Sequence, residues 1–345
     1  MRAATIHGPK NIQVESVPDA ALRSSRDAVV AVTHACVCGS DLWAYRGTAP
    51  RRPGQRMGHE FMGTVEEVGS DVETLRPGDH VLAPFLWSDG ECEFCADGMH
   101  ACCRQGGIWG QPGADGGQGE AVRVPYADAT LVRLPDAPEG PLVPALMALC
   151  DVMCTGHHAA LAARVRPGST VAVVGDGAVG LCGVLAARRL GAERIVMLGR
   201  HPDRVALARR FGASDIVRDR GTAAAERVRE LTGGSGVPAV IEAVGTRDSL
   251  QTAIAIARSG GAVGFVGTPH GVGDRLDVRQ LFDRNIALGG GLAPARAYLP
   301  DLLADVLVGE LDAGPVFDLT LDLPDTPRAY AAMHERHALK ALIRI

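Results

Sequence analysis

From about Arg166 onward, apolar runs and glycine-marked stops alternate with a regular beat. The run Thr170 to Val174 predicts a strand, a glycine-rich turn follows, and Ala178 to Leu190 predicts a helix closed by Gly191. The alternation continues with a strand at 194–198, a helix at 202–211, a short strand near 215–217 and a helix at 223–231. A strand at 239–243, a helix at 248–258 and a strand at 262–266 complete it. Strands that are apolar throughout must be covered on both faces, so the pattern predicts a doubly wound parallel sheet at residues 153–289. The first 152 residues differ. Short alternating runs such as 28–32 and 63–68, with turns such as Arg76-Pro77-Gly78-Asp79, predict a mostly β domain. Residues 105–119 hold seven glycines and are predicted to form a loop. After Gly289-Gly290-Gly291 come a helix at 298–308 and strand-like runs near 317–323 and 342–345. A tail of about 55 residues is too short for an easy core of its own, so residues 290–345 are expected to rejoin the first domain.

The chain's 345 residues and net charge of −5 suit two domains. With only seven Phe, four Tyr and three Trp and no basic stripe, nucleic acid is not an expected partner. No apolar run is long enough to span a bilayer and the start has no secretory character, so no membrane partner is expected and the location is read as cytoplasmic. Nine cysteines, odd in number and unevenly spaced, point to thiols and metal ligands rather than to a disulfide framework.

Gly175-Asp176-Gly177-Ala178-Val179-Gly180 follows a strand and opens a helix. In such a turn Gly175 permits the sharp bend, Gly177 lets backbone approach a pyrophosphate, and Gly180 lets helix and strand pack closely. About 20 residues further on, NAD sites offer a carboxylate to the ribose. Here the strand ends in Leu198-Gly199-Arg200-His201, which has no carboxylate and offers two basic groups, so NADP is predicted over NAD. A bound phosphate would also offset the cost of a cation ahead of the helix that starts at Pro202. The cofactor-binding set is Thr155, Gly175, Gly177, Ala178, Val179, Gly180, Gly199, Arg200, His201, Val266 and Gly267.

Cys38-Gly39-Ser40-Asp41, Gly58-His59-Glu60 and Cys150-Asp151 bring thiol, imidazole, hydroxyl and carboxylate groups together in the β domain and at its end. With V-x-x-V-G-x-D-V-x-x-L-R-P-G-D-H-V at 65–81, Thr155-Gly156 and the glycine motif, these stretches resemble the zinc-dependent alcohol dehydrogenases of the medium-chain dehydrogenase/reductase family. The resemblance runs along nearly the whole chain and implies an α/β protein with a GroES-like catalytic domain and a Rossmann-fold cofactor domain. It further implies a catalytic zinc held by Cys38, His59 and Asp151, with Glu60 as a further ligand or neighbour. Zinc accepts all three donor types and a catalytic site keeps one position open. Asp41 is expected to fix the His59 tautomer, Ser40 to pass the alcohol proton, and Trp43 to stand where relatives carry a relay His. Cys36, Cys150 and Cys154 are expected to be structural.

Residues 90–103 resemble the family's structural-zinc lobe, spaced C-x2-C-x2-C-x7-C. Counted from Cys92, its third place is Gly98 and its fourth Gly106. Cys92, Cys95 and Cys103, with Cys102 or His100 beside them, then form an incomplete set, so a second zinc is not expected. Trp109, Phe85, Trp87 and Leu292 are candidates either for an apolar substrate wall in a cleft between domains or for core, and Lys340 reads as a surface lysine, with contact to the cofactor phosphates as the alternative. The function expected is hydride transfer between NADP(H) and an alcohol, ketone or aldehyde, by a homodimer or homotetramer. The alternatives are a polyol or threonine-type dehydrogenase, a zinc-free quinone or enone reductase, and a non-enzymatic NADPH-binding protein.

Overall fold

The computed structural model describes residues 1–111, 113–269 and 276–345. The chain separates into two compact units: Met1–Asp151 with Pro294–Ile345, and Val152–Ala293.

The first unit is built on a mixed sheet. Its strands lie in the order Val132–Arg133, His80–Ala83, Phe61–Val68, Ala28–Val37, Ala341–Arg344 and Leu319–Asp322, and Ala121–Val124 also pairs with Ala28–Val37. The C-terminal strand Ala341–Arg344 runs antiparallel to Ala28–Val37, with Ala341 opposite Val37 and Leu342 opposite Cys36. The tail therefore supplies an interior strand of the sheet, next to the edge strand Leu319–Asp322, where its backbone groups are paired on both sides. Strand Arg2–Ile6 pairs with Ile12–Ser16 and Gln55–Arg56 in a smaller sheet. A core of Val30, Phe61, Val65, Trp109, Val122, Tyr330 and Ile343, with others, fills the space between the elements.

Of the two roles open to Trp109, it takes the one in the core: it is 1 % exposed, and its indole N–H donates to the Pro84 carbonyl at 2.8 Å. Its neighbours Phe61 and Trp87 pack against it at ring distances of 5.3 and 5.0 Å. A buried indole needs an acceptor, and the turn at Pro84 provides one.

The second unit is an all-parallel sheet in the order Asp215–Val217, Arg194–Leu198, Thr170–Val174, Val237–Glu242, Ala257–Phe265, Ala287–Gly290. The strand order reverses at Thr170–Val174, so the carboxyl end of that strand is the switch point at which such sheets bind ligands. The helix Ala178–Arg189 starts there. Differences from the expected elements are small and lie at their ends. Strand Ala257–Phe265 starts five residues earlier than predicted, because Ala257 already pairs with Val237; the stretch 258–261 then bulges out, with Gly260 at φ +71°, before pairing resumes at Ala262 opposite Ala239. Among the described residues no single helix is long and apolar enough to cross a membrane.

Candidate functional site

Cys38 follows the end of strand Ala28–Val37, and His59 and Glu60 precede strand Phe61–Val68. These two strands pair antiparallel with Ala35 opposite Phe61, which brings the three residues to one end of the sheet. Asp151 caps the short 3-10 helix Ala148–Cys150, and the Cys150 carbonyl accepts the Phe85 N–H at 2.9 Å. The result is a cluster of Cys38, His59, Glu60 and Asp151 whose donor atoms all lie within 4.8 Å of one another. Cys38 Sγ is 3.6 Å and His59 Nε2 is 3.4 Å from Asp151 Oδ2. Ligands placed about 2.0–2.3 Å from a tetrahedral zinc stand roughly 3.3–3.8 Å apart, so these separations fit a shared ion.

Asp41 opens helix Asp41–Tyr45 and links the two strand ends. Its Oδ2 accepts the Cys38 N–H at 3.0 Å, and its Oδ1 lies 3.4 Å from His59 Nδ1. This leaves His59 Nε2 to face the cluster. Among the protein groups alone, burial opposes a charge on His59, but Asp41 and Cys38 outweigh it and raise its pKa well above the usual value. Burial pushes the Cys38 thiol up, with the Asp151 and Glu60 charges adding to it and His59 opposing. A thiol raised in this way needs a cation to become a thiolate, which is what a metal supplies. Burial would raise the Asp41 carboxyl, but His59 and the Cys38 N–H hold it low.

Glu60 is fully buried. Its Oε1 accepts from Lys340 Nζ at 2.8 Å, and its Oε2 has no hydrogen-bond partner among the described residues. Lys340 is therefore not a surface lysine: it is 1 % exposed and also donates to the Val37 carbonyl at 3.4 Å. It is buried because strand Ala341–Arg344 is held between Ala28–Val37 and Leu319–Asp322 and carries the residue before it inward. Burial would lower its pKa, but Cys36, Glu60 and Cys38 reverse that and raise it. Ser40 is half-buried at the start of helix Asp41–Tyr45, and its side chain makes no capping hydrogen bond, so its hydroxyl is not used by the turn. Cys36 and Cys150 are wholly buried, and Cys150 Sγ donates to the Phe61 carbonyl at 3.4 Å.

A second cluster lies in the cysteine lobe. Asp89, Cys92, Cys95 and Cys103 also bring their donor atoms within 4.8 Å of one another, and Cys92 Sγ lies 3.6 Å from Cys95 Sγ. The fourth group thought to be lacking is therefore Asp89, which sequence reading missed. Counted from Asp89 instead of Cys92, the spacing is D-x2-C-x2-C-x7-C, the lobe's own pattern with a carboxylate in its first place. Cys102 is exposed, and His100 turns its Nδ1 to the Gly98 carbonyl at 3.2 Å. Burial would raise the Asp89 carboxyl, but the N–H groups of Cys92 and Glu91 hold it well below the usual carboxylate range. Burial raises the Cys95 thiol to about 12, while the Arg104 N–H lowers the Cys92 thiol.

In the second unit, Gly175 has φ +112° and a Cβ on Gly180 would fall 1.8 Å from the Gly175 carbonyl oxygen. Both positions therefore require glycine. A Cβ at Gly177 would meet nothing within 4 Å, so this part of the loop faces open space at the N-terminus of helix Ala178–Arg189. Ala178 and Val179 form the first turn of that helix, and Thr155 is buried on helix Val152–Ala162. The N–H groups of Val266 and Gly267 donate to the Glu242 carbonyl at 2.9 and 3.3 Å. This loop has the open backbone and positive helix end that a pyrophosphate needs.

One premise about the ribose end changes. A carboxylate does stand beside Arg200 and His201, but it comes from Asp176 in the glycine loop. Asp176 Oδ2 accepts the Arg200 N–H at 2.8 Å, the His201 N–H at 3.0 Å and a hydrogen bond from His201 Nδ1 at 2.8 Å. Arg204 lies 3.9 Å from Asp176 Oδ1. Gly199 is the place where the two loops touch, since a Cβ there would come within 2.6 Å of Asp176 Cβ. The charge at the start of helix Pro202–Phe211 is thus already offset by Asp176, with no phosphate required.

Two family profiles match the chain: an alcohol dehydrogenase GroES-like domain over residues 24–136 and a zinc-binding dehydrogenase over 178–307. A zinc-type alcohol dehydrogenase B from Aspergillus flavus is 33 % identical over 352 aligned positions, covering 100 % of this chain and 81 % of that protein. The chain belongs to the zinc-dependent alcohol dehydrogenases of the medium-chain dehydrogenase/reductase family. It is also 34 % identical to an NADP-dependent isopropanol dehydrogenase from Clostridium beijerinckii, with 82 % of each chain covered. The alcohol dehydrogenase TADH from Thermus sp. ATN1 superposes with a TM-score of 0.92 at 32 % identity, covering 100 % of this chain and 99 % of its own. Membership makes this protein an oxidoreductase of small-molecule alcohols that uses zinc and a nicotinamide cofactor.

Proposed function

We propose that this dehydrogenase moves a hydride between NADP(H) and a secondary alcohol or its ketone, with a cation held by Cys38, His59 and Asp151. The observation that carries the proposal is the Asp151 carboxylate standing 3.6 Å from the Cys38 thiol and 3.4 Å from the His59 imidazole, with the Glu60 carboxylate in the same cluster of donors, all within 4.8 Å of one another. Zinc at such a centre stabilises negative charge on an alcohol oxygen, and the nicotinamide accepts or returns the hydride. The chain's own residues do the rest. Asp41 holds His59 so that Nε2 faces the cation, Ser40 takes the alcohol proton outward, and Lys340 keeps one Glu60 oxygen occupied while leaving the other free. Ser40→Ala should lower turnover by about a hundredfold or more while zinc content stays at the parental value, and parental turnover removes Ser40 from the proton path.

The NADP preference is supported by the exposed Arg200 and by Arg204, which the sequence reading did not include, and by the NADP dependence of the Clostridium isopropanol dehydrogenase. Asp176 weighs against it, so the argument now rests on Arg200, whose side chain is exposed, and on Arg204, 3.9 Å from that carboxylate. Fluorescence titration tests this directly: Arg200→Ala should weaken NADPH binding about tenfold and leave NADH binding within twofold. Equal losses for both cofactors assign Arg200 no part in phosphate recognition.

Asp89, Cys92, Cys95 and Cys103 are proposed as a second, structural zinc site. A closed set of one carboxylate and three thiols fits that ion. Two zincs per chain by metal analysis, falling to one in Asp89→Ala, is the expected result. A homodimer or homotetramer remains the proposed assembly, supported by the edge strand Ala287–Gly290 and the exposed Phe282 beside it, and light scattering checks it.

A further inference from the structure

Gln118 is the wholly buried polar side chain that ends the glycine-rich segment, and nothing above gives it a task. Its backbone is pinned on both sides: its N–H donates to the Met57 carbonyl at 3.0 Å, and its carbonyl accepts the Ala4 N–H at 2.7 Å. The neighbouring Gly117 N–H donates to the Gly58 carbonyl at 2.9 Å, so the strap runs alongside residues 57–58, immediately before His59. The side chain then crosses over Gly58. That residue has φ +93°, and a Cβ on it would fall 2.5 Å from Gln118 Cγ. Glycine at 58 therefore serves two ends: it allows the left-handed backbone that turns the chain toward His59, and it leaves room for the glutamine.

Beyond Gly58 the amide reaches the underside of the metal centre. Gln118 Nε2 donates to the Cys36 carbonyl at 2.9 Å and lies 3.5 Å from Asp41 Oδ2. Gln118 Oε1 accepts from the Tyr330 hydroxyl at 2.9 Å. Tyr330 is itself wholly buried on helix Thr326–Glu335, in the returning tail, and burial keeps its hydroxyl protonated and able to donate. The amide can point only one way. Flipped, its oxygen would face the Cys36 carbonyl and the Asp41 carboxylate, two acceptors, in a place without water. Asp41 Oδ2 in turn accepts the Cys38 N–H, and Asp41 Oδ1 faces His59 Nδ1. One carboxylate thus meets the backbone of the thiol residue, the ring of the imidazole residue and the glutamine amide.

We infer that Gln118, oriented by Tyr330, is a positioning residue of the metal centre, holding Asp41 at the angle that aims His59 and Cys38 at a common point. The inference rests on the reading that Cys38, His59 and Asp151 hold a divalent cation. A hydrogen bond that fixes a ligand's partner lowers the cost of organising the site before the ion arrives, and losing such partners typically costs about 10–100-fold in metal affinity.

The test measures zinc release from the full-length protein to a chromophoric chelator, with Cys38→Ser used to assign the phase that belongs to the centre. Gln118→Leu should raise the centre's Kd for zinc about tenfold and Tyr330→Phe by a smaller factor of at least about threefold. The phase belonging to Cys92, Cys95 and Cys103 should keep its parental Kd. With Co²⁺ in place of zinc, the Cys38-dependent part of the visible spectrum should shift in both variants, which a packing role would not cause. Tyr330→Phe deletes a single oxygen and keeps the ring packed 5.5 Å from that of Tyr45, so it decides the matter should Gln118→Leu fail to fold. A change below threefold with a parental spectrum overturns the inference, as does an equal weakening of both phases together with a lower unfolding midpoint of the chelated protein. A parent lacking any Cys38-dependent phase overturns the metal reading, and the inference with it.

Discussion

The two candidate metal clusters in the first unit are held in opposite ways. Around Cys38 the donors are buried and flanked by further charges, with Asp41 beside His59 and Lys340 beside Glu60. In the cysteine lobe two of the four donors are half-exposed, and the fourth, Asp89, is fixed by local N–H groups of Glu91 and Cys92. The centre is assembled from four distant stretches of chain, at 38–41, 59–60, 151 and 340, while the lobe lies within 15 consecutive residues. A site made by the whole fold can be buried, positioned and tuned. A site made by one loop can at most close that loop. The difference predicts that damage to the centre is felt in chemistry, and damage to the lobe in stability.

The largest effect expected is therefore at Asp151. Asp151→Ala removes the carboxylate that stands 3.4 Å from His59 and 3.6 Å from Cys38. Turnover should fall by more than about a hundredfold, since a ligand matters more than the groups behind it. Zinc per chain should drop by one equivalent, with the lobe retained. Coupled spectroscopic turnover and metal analysis on one sample check both, and a variant that keeps its zinc and its rate removes Asp151 from the centre.

Next comes the buried pair behind the centre. In the zinc-free protein, Lys340→Met leaves the buried Glu60 carboxylate without its lysine partner, and breaking a buried pair in this way costs about 3–5 kcal/mol. Urea midpoints read the loss. Adding Glu60→Gln to Lys340→Met should recover part of it, because the uncompensated charge is then gone. A single variant as stable as the parent shows that Lys340 carries no such burden.

Much of this contrast is legible in the chain, and the parts that are not have a common cause. Cys38, His59 and Asp151 can be named in advance only because the resemblance to the family singles out their places in the chain, and the fold does bring the three side chains together. The strands Thr170–Val174 and Arg194–Leu198 can be read because an all-apolar run bounded by glycine has few other uses. Lys340 cannot be read as buried, since its burial depends on pairing between strands about 300 residues apart in sequence. Asp176 reaches His201 because adjacent parallel strands end side by side, which no local pattern states. Asp89 is different. Its signal is present in the spacing 3, 3 and 8, but counting from the first cysteine hides it, since the pattern's first ligand here is not a cysteine.

A smaller effect should follow at the lobe. Asp89→Ala removes one of four donors, so the lobe should lose its zinc and the thermal midpoint should fall by about 4–8 °C, the shift that roughly 2 kcal/mol produces in a domain of this size. Turnover measured well below the midpoint should stay within about twofold of the parent. Asp89→Cys should bind zinc again, because it restores a closed set of four. A hundredfold loss of turnover in Asp89→Ala with its fold intact would mean that the two clusters are not independent, and the comparison drawn above would fail.

The smallest effect tests Asp89 with no metal at all. In the chelated protein its carboxylate still accepts N–H groups from Glu91 and Cys92 at 2.9 and 3.0 Å, and its folded pKa is held below the unfolded one. The sign follows from linkage. A depressed carboxyl pKa contributes stability that is fully present above the unfolded value near 4, and it is lost as pH falls toward the folded value. Asp89→Asn keeps the shape but has no proton to gain there, so at pH 7 it should unfold at a lower urea concentration than the parent, by about 1 kcal/mol. The two midpoints should draw together as the pH is lowered through 4 to 3. A gap of constant size across that range would mean that the carboxylate charge contributes nothing to the loop, and that only a cation gives Asp89 its purpose.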